Sequence, residues 1–108
     1  MTIHPIQFAG SSLEDLRKFP EASRRAVGFE LHALQYGLEP SDWRPMPAVG
    51  RGVREIRIHT LGEWRVIYIA RIHLAIIVLH AFQKKTRKTG RQDIELARKR
   101  FKSLGGKP

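Results

Sequence analysis

The chain has 108 residues, a length that suits one domain, and we expect that domain to span residues 1–108. Its 42% apolar and 28% charged residues are typical of a globular protein and exclude a disordered chain. It contains no cysteine, which excludes disulfides and thiolate metal sites.

The formal net charge of +10 is concentrated towards the C-terminus. Residues 1–82 have a net charge of +2, whereas residues 83–108 have a net charge of +8. This asymmetry favours a surface for nucleic acid or another polyanion, and a well-solvated basic helix is the alternative. Neither a signal peptide nor an apolar stretch long enough to span a bilayer is recognisable, so we expect a cytoplasmic protein with no membrane partner.

The first 37 residues predict a strand followed by two helices. Residues 3–8 favour a short strand. Ser11 and Glu14 have the spacing of a capping box, which predicts a helix that runs to about Phe19. A second helix follows and ends at Gly37, because glycine favours helix C-termini. Its predicted buried stripe comprises Ala22, Ala26, Phe29, Ala33 and Tyr36, widened by Val27, Leu31 and Leu34.

The rest of the chain predicts a sheet and a final helix. Prolines and glycines indicate a connecting loop over residues 38–52. Alternating polarity predicts a strand at 53–60, and an apolar run predicts a second strand at 64–71. A nearly all-apolar run predicts a strand at 74–82 that is buried on both faces. A helix from about 90 to 104 follows. We therefore predict an α+β fold, in which an N-terminal strand and an αα hairpin pack on a mainly antiparallel four-stranded sheet with a C-terminal helix.

The candidate functional residues are mainly cationic. The five histidines lack metal-ligand spacing, and no phosphate-binding glycine loop is present, so we expect neither a metal nor another cofactor. Arg57 and Arg65 lie on neighbouring predicted strands and should come close together near one sheet face. Arg65 has apolar neighbours of the same parity, so it requires either a buried ion pair or a phosphate. For Arg57, a salt bridge to Glu55 or Glu63 is the alternative to a functional role.

Lysines and histidines near the last strand add to this set. Lys84 and Lys85 directly follow the strand and should point to opposite sides, although lysines there also prevent edge pairing between sheets. His80 lies in an apolar strand, where a hydrogen-bonded core histidine is the common case. His59 is the more exposed candidate for proton transfer.

Several motifs resemble the HigB-like, phage-related branch of the RelE/ParE toxin superfamily. They are Arg54-Glu55-Ile56-Arg57, Trp64-Arg65-Val66-Ile67-Tyr68, the stretch from Val78 to Thr86 that contains HAFQKKT, Lys88-Thr89, and Ile94-Glu95-Leu96-Ala97 with residues 98–100. The stretch that reads HAFxKKTxKT is the most specific. One departure is Gly90, where relatives commonly have proline at the start of the helix.

This resemblance implies a RelE-like fold and the toxin of a type II toxin–antitoxin system. Such a toxin is an mRNA interferase that cleaves mRNA on the ribosome, without a metal, through attack of the ribose 2′-OH on the adjacent phosphate. A helix-turn-helix antitoxin holds it in check. The implied catalytic residues are Arg57, Arg65, Lys84 and Lys85. The predicted RNA-binding residues are Arg87, Lys88, Arg91 and Lys99, and the candidates for proton transfer are His59 and His80. The alternatives are a ParE-like gyrase poison and a basic RNA-binding module without catalysis.

Overall fold

The computed structural model describes residues 3–71 and 75–105, so the predicted start of the last strand at Leu74 lies outside the described residues. The elements in chain order are β1 (Ile6–Phe8), α1 (Ser12–Arg17), α2 (Glu21–Gln35), β2 (Trp43–Pro45), β3 (Val53–Ile58), β4 (Trp64–Ala70), β5 (Ile76–Gln83) and α3 (Arg91–Ser103). None of the described helices is long and apolar enough to cross a membrane.

The described strands form one sheet in the order β1-β5-β4-β3-β2. β1 pairs with β5 in parallel, and every other pair is antiparallel. The α+β class and the antiparallel run of β3, β4 and β5 are confirmed, but the predicted count of four strands is wrong. The fifth strand is β2, which lies inside the predicted loop at 38–52. It is only three residues long, too short for alternation to reveal, and its Pro45 is tolerated because β2 lies at the sheet edge.

A hydrophobic core lies on each face of the sheet. On one face, α1 and α2 cover a cluster that includes Val27, Leu31, Val66 and Tyr68. On the other face, α3 covers a cluster that includes Phe101. A sheet covered on both faces explains why every residue from Trp64 to Ile69 is buried. Because side chains alternate along each strand, one parity of β3 and β4 reaches the α3 face, and the candidate site lies there.

The buried face of α2 matches the predicted stripe only in part. Val27, Leu31 and Leu34, which were expected to widen the stripe, are buried, but Phe29 is 69% exposed and Tyr36 is 38% exposed. The three branched aliphatic residues remove more apolar area from water than the alanine-rich stripe, and burial therefore favours their face. The predicted end of the helix is confirmed, because Gly37 has φ +79° and its N–H donates to the Leu34 carbonyl at 3.0 Å.

The predicted capping box at the start of α1 is wrong. Ser11 occupies the N-cap position, but its side chain makes no capping hydrogen bond. Its hydroxyl instead donates to the Asp15 carboxylate at 2.9 Å, and the Arg100 guanidinium donates to the same hydroxyl at 3.0 Å. A contact with an arginine 89 positions away takes the place of the local cap.

Candidate functional site

The pairing of β3 with β4 brings the two predicted arginines together on the α3 face. Arg57 and Arg65 are directly opposite each other in the antiparallel register, and Glu55 lies opposite Ile67. Arg65 is in turn opposite Phe82 of β5. Leu61 and Gly62, both with positive φ, make the short turn that sets this register. The prediction that Arg57 and Arg65 lie close together is confirmed.

An irregularity in β5 turns the second half of that strand towards the same face. Ile67 pairs with His80 whereas Tyr68 pairs with Val78, so Leu79 is an extra residue without a partner. An extra residue in one strand shifts the alternation of side chains beyond it. Ile77 and Leu79 both belong to the α3-side core, as regular alternation requires, and the extra residue places His80 on that face as well, where it contacts Asp93 of α3. The loop that starts at Lys84 consequently leaves the sheet beside Arg57 and Arg65.

A cleft of about 290 Å³ opens on this face between β2, β3 and the loop that follows β5. We call it the cationic cleft. Its lining side chains are Arg44, Met46, Glu55, Arg57, Lys84, Arg87, Lys88, Thr89 and Ile94. Five of these are cationic and one is a carboxylate. Clustered cations in a concave surface concentrate the field that attracts a polyanion, so the arrangement suits a phosphate backbone.

Arg65 lies beneath the cationic cleft. Its side chain is 3% exposed, its guanidinium donates to the Trp64 carbonyl at 2.9 Å and to Glu63 at 3.0 Å, and its Nε lies 3.7 Å from Glu55. Glu55 is also buried, and its other oxygen accepts a hydrogen bond from the Thr89 hydroxyl at 2.6 Å. Of the two explanations that the sequence left open for Arg65, the buried ion pair is the one the structure contains.

Arg57 is half-buried and lines the cleft directly. Within residues 3–71 and 75–105 it forms no ion pair, so the predicted alternative of a salt bridge to Glu55 or Glu63 is wrong. Its buried Nε has no hydrogen-bond partner among the described residues. A guanidinium with unused donors beside open space is suited to bind a phosphate.

Lys84 and Lys85 have different surroundings, as their adjacent positions predicted. Lys84 is half-buried in the cationic cleft, and Lys85 is exposed outside its lining. Burial lowers the pKa of Lys84, and the positive charges of Arg65 and Arg57 lower it further. A lysine with a lowered pKa loses its proton more readily, so more of it is present as the neutral amine that can accept a proton.

His59 bridges two carboxylates at the end of β3. Its Nε2 lies 2.7 Å from Asp42, and its Nδ1 lies 2.8 Å from Glu63. The hydrogen bond to Asp42 raises the pKa of His59 most, and the hydrogen bond to Glu63 raises it further. Because Glu63 also binds Arg65, His59 belongs to the same charged network as the residues beneath the cleft.

His80 is a buried part of the α3 packing. It is 6% exposed, its Nε2 lies 2.7 Å from Asp93 of α3, and its ring stacks on Phe82 with 4.7 Å between ring centroids. This is the hydrogen-bonded core histidine that the sequence left as an alternative. Burial separates the ring from the cleft surface, so His80 is placed to fix α3 against β5.

The predicted RNA-binding residues divide into two groups. Arg87 and Lys88 line the cationic cleft. Arg91 instead pairs with Glu95 at 2.9 Å on the exposed side of α3, and Lys99 lies on a separate groove of that helix. Arg44 is a cleft residue that sequence reasoning missed, because the strand that positions it was not recognised.

No group of three or more metal-ligating side chains converges within residues 3–71 and 75–105. The carboxylates around the cleft are bound to other partners. Glu55 binds Arg65 and Thr89, whereas Glu63 binds His59 and Arg65.

Comparison with known proteins identifies the fold and the family. The chain resembles a free-state structure of the E. coli toxin RelE with two arginine-to-alanine substitutions, with a TM-score of 0.61, 15% sequence identity, and coverage of 96% of this chain and 99% of that chain. The fold is therefore that of RelE.

A family model described as phage derived protein Gp49-like matches residues 14–102, and the chain belongs to that family. No curated protein matches the sequence. The family and the fold together confirm the expected membership of the RelE/ParE superfamily. Assignment to its HigB-like branch remains a prediction from the sequence motifs.

Proposed function

We propose that this protein is the toxin of a type II toxin–antitoxin system and that it cleaves mRNA on the ribosome. The observation that carries the proposal is the cationic cleft, where Lys84, with its lowered pKa, lies among four arginine and lysine side chains. Such a cleft offers both phosphate binding and a proton acceptor, which metal-independent cleavage of RNA requires. Membership of the Gp49-like family and the RelE fold support the same class of protein.

In the proposed reaction, the ribose 2′ oxygen attacks the adjacent phosphorus and the bond to the 5′ oxygen breaks. The products are a 2′,3′-cyclic phosphate and a 5′-OH end. Lys84 accepts the proton of the 2′-OH, and Arg57 binds the phosphate as negative charge develops on it. Arg65 acts from beneath through its charge, because its guanidinium is buried and already bound to carboxylates.

The leaving 5′ oxygen needs a proton from a cationic group at the rim of the cleft. His59 and Lys85 are the two candidates. His59 is 53% exposed and its raised pKa favours the protonated form, although both of its ring nitrogens face carboxylates. Lys85 is exposed and unconstrained by the cleft. Arg87 and Lys88 bind the RNA backbone on either side of the scissile phosphate.

We also propose that a helix-turn-helix antitoxin with an acidic segment covers the cationic cleft. An uncovered net charge of +10 attracts acidic surfaces strongly and non-specifically, so a dedicated acidic partner provides both neutralisation and specificity. Co-expression with such a partner should restore growth and yield a complex that survives purification. Rescue by a partner that acts only as RNA would contradict this part of the proposal.

The proposed function is tested by controlled expression of the parent chain, Lys84→Met and Lys18→Met. Lys18 is an exposed lysine at the end of α1, outside the cleft, and serves as the matched control. Expression of the parent and of Lys18→Met should stop protein synthesis before DNA synthesis and create new mRNA 5′ ends. Lys84→Met should do neither while folding normally. Purified parent that has been treated with a metal chelator and then freed of it should cleave mRNA on ribosomes as fast as untreated parent.

Each alternative class predicts a different result. A gyrase poison would stop DNA synthesis first and create no new mRNA ends. A non-catalytic RNA-binding module would bind RNA in a salt-dependent way and leave the message intact. Cleavage by Lys84→Met at the rate of the parent would remove Lys84 from the reaction.

A further inference from the structure

The cationic cleft holds one amine whose surroundings differ from those of its neighbour in the chain. Lys84 is half-buried in the lining, and its side chain forms no ion pair within residues 3–71 and 75–105. Its backbone N–H donates to the Glu63 carbonyl at 2.7 Å, which holds the residue against the β3–β4 turn. Lys85 follows directly but is exposed and lies outside the lining. The two lysines therefore offer a comparison within one chain.

The surroundings of Lys84 favour the neutral amine, which is the form of lysine that attacks electrophilic carbon. Burial lowers the pKa of Lys84 most, and the positive charges of Arg65 and Arg57 lower it further, while Glu55 and Glu63 oppose the change in part. Desolvation and neighbouring cations are the two environments that activate lysine as a nucleophile in proteins. Lys84 has both.

The other cations of the cleft are placed to bind the phosphate of an incoming molecule. None of the four other cationic side chains in the lining forms an ion pair with a described residue. The carboxylate of the lining, Glu55, is already bound to Arg65 and Thr89. Arginine and lysine side chains without a carboxylate partner can bind phosphate oxygens directly. The volume of about 290 Å³ lies near the lower end of ligand pockets, so the cleft suits a small phosphate compound.

We propose that Lys84 is acylated by acyl phosphates that bind in the cationic cleft. The cleft cations bind the phosphate and thereby place the acyl carbonyl carbon beside Lys84 Nζ, which makes the reaction effectively intramolecular. Nζ attacks that carbon, the bond from the carbon to the phosphate oxygen breaks, and its electron pair leaves with the phosphate. The proton that Nζ gives up passes to the phosphate. The products are an amide at Lys84 and hydrogen phosphate, and no further reactant is consumed.

Acylation of Lys84 would switch off RNA cleavage, a consequence that rests on the proposed function. An amide nitrogen carries no positive charge and does not accept a proton near neutral pH. The cleft would therefore lose its base and one of its five cations. The modification itself requires only the amine and the cations around it, so it can be measured without RNA.

The test is peptide mass spectrometry of the purified full chain after incubation with acetyl phosphate at low ionic strength, with fragment spectra that resolve the two adjacent lysines. Lys84 should be acetylated about ten- to a hundredfold faster than Lys85, the factor that one charge-assisted hydrogen bond to the phosphate contributes. With N-hydroxysuccinimide acetate, an acyl donor without phosphate, the preference for Lys84 should be clearly smaller. Excess inorganic phosphate should slow the reaction of acetyl phosphate with Lys84 more than that with Lys85.

Two substitutions locate the bound phosphate. Arg87→Gln removes a cleft cation from an exposed side chain and should slow acetylation of Lys84 severalfold without unfolding the protein. Arg25→Gln makes the same chemical change at a side chain that is 78% exposed on α2, outside the cleft, and should leave the rate unchanged. Thermal melts establish that both variants are folded.

The outcomes distinguish the modification from its consequence. Equal acetylation of Lys84 and Lys85, the same preference with the donor that lacks phosphate, or equal effects of the two arginine substitutions would overturn the proposal. Protein acetylated at Lys84 is then assayed for mRNA cleavage on ribosomes, and cleavage should fall in proportion to the acetylated fraction. Selective acetylation with undiminished cleavage would uphold the modification and remove Lys84 from the proposed reaction, so the two failures are seen separately.

Discussion

Replacement of Arg65 by alanine tests the charged network beneath the cationic cleft most directly. The Arg65 side chain is 3% exposed and its partner Glu55 is 2% exposed. Removal of the guanidinium leaves Glu55 buried, with the Thr89 hydroxyl at 2.6 Å as its remaining hydrogen-bond partner among the described residues. A buried carboxylate that loses its cation either remains charged at high cost or takes up a proton.

The expected loss of stability follows from this burial. Removal of one partner of a buried ion pair costs about 3–5 kcal/mol, a large part of the roughly 5–15 kcal/mol that stabilises a typical domain. At about 4–8 °C per kcal/mol for a domain near 100 residues, the melting temperature should fall by roughly 12–40 °C. The second ion pair of Arg65, to the 45% exposed Glu63, adds little because solvent screens it.

The assay is urea unfolding of the parent and three variants, combined with thermal melts. Arg25→Ala is the matched control, because Arg25 pairs with Glu21 at 2.7 Å but is 78% exposed, and it should cost less than about 1 kcal/mol. Arg65→Met combined with Glu55→Gln removes both charges and should recover much of the loss seen in Arg65→Ala. The reasoning would be refuted by a loss in Arg65→Ala as small as that of the control, or by a double variant no more stable than Arg65→Ala.

Three further predictions concern the cleft and its rim. Lys84→Arg keeps the charge but removes the base, so RNA cleavage should fall by about 10²–10⁴-fold, and the rise in rate with pH shown by the parent should disappear from its pH–rate profile. Because the pKa of His59 is raised in the folded state, its ion pairs stabilise the parent fully below about pH 6.5, and this contribution disappears as pH rises through the folded-state pKa. Melts at several pH values should therefore show His59→Gln less stable than the parent at low pH, by at most about 1 kcal/mol since His59 is 53% exposed, and equally stable at high pH. Neutralising Arg87 and Lys88 together should reduce the slope of log affinity for single-stranded RNA against log salt by about 1.4, whereas Lys99→Gln should leave it nearly unchanged; equal effects would place the RNA on α3 instead of the cleft.

Local sequence patterns predicted the parts of the fold that depend on local physics. The parity of residues along β3 and β4 indicated which side chains share a face, and counting from the short turn at Gly62 predicted that Arg57 and Arg65 lie close together, as they do in the observed register. The buried face of α2 was predicted only in part. Val27, Leu31 and Leu34 are buried as expected, but the apolar residues of that helix form two adjoining stripes. Which stripe packs inward depends on the total area buried against the sheet, and Phe29 was consequently assigned to the wrong side.

The candidate site was only partly predictable, because its assembly depends on contacts between distant residues. Strand positions identified Arg57 and Arg65 as neighbours, and the family resemblance added Lys84 to the set. The contact between Thr89 and Glu55 joins residues 34 positions apart, and no local pattern reveals it. The extra residue Leu79 lies in a uniformly apolar run, where a shift in register leaves no trace in the sequence.

The residues beneath the cleft explain how several cations remain close together before any RNA is bound. Like charges repel, and the repulsion is strong where water is partly excluded. Glu55 places a negative charge under the cleft, while Glu63 binds Arg65 from the turn. Because Thr89 binds Glu55, the same carboxylate also attaches the loop after β5 to β3. These two carboxylates therefore offset part of the repulsion among Arg57, Arg65 and Lys84 before substrate binds. Charge stabilisation by groups already in position costs no reorganisation when the phosphate becomes more negative, and this is the condition under which arginine and lysine accelerate phosphate chemistry most.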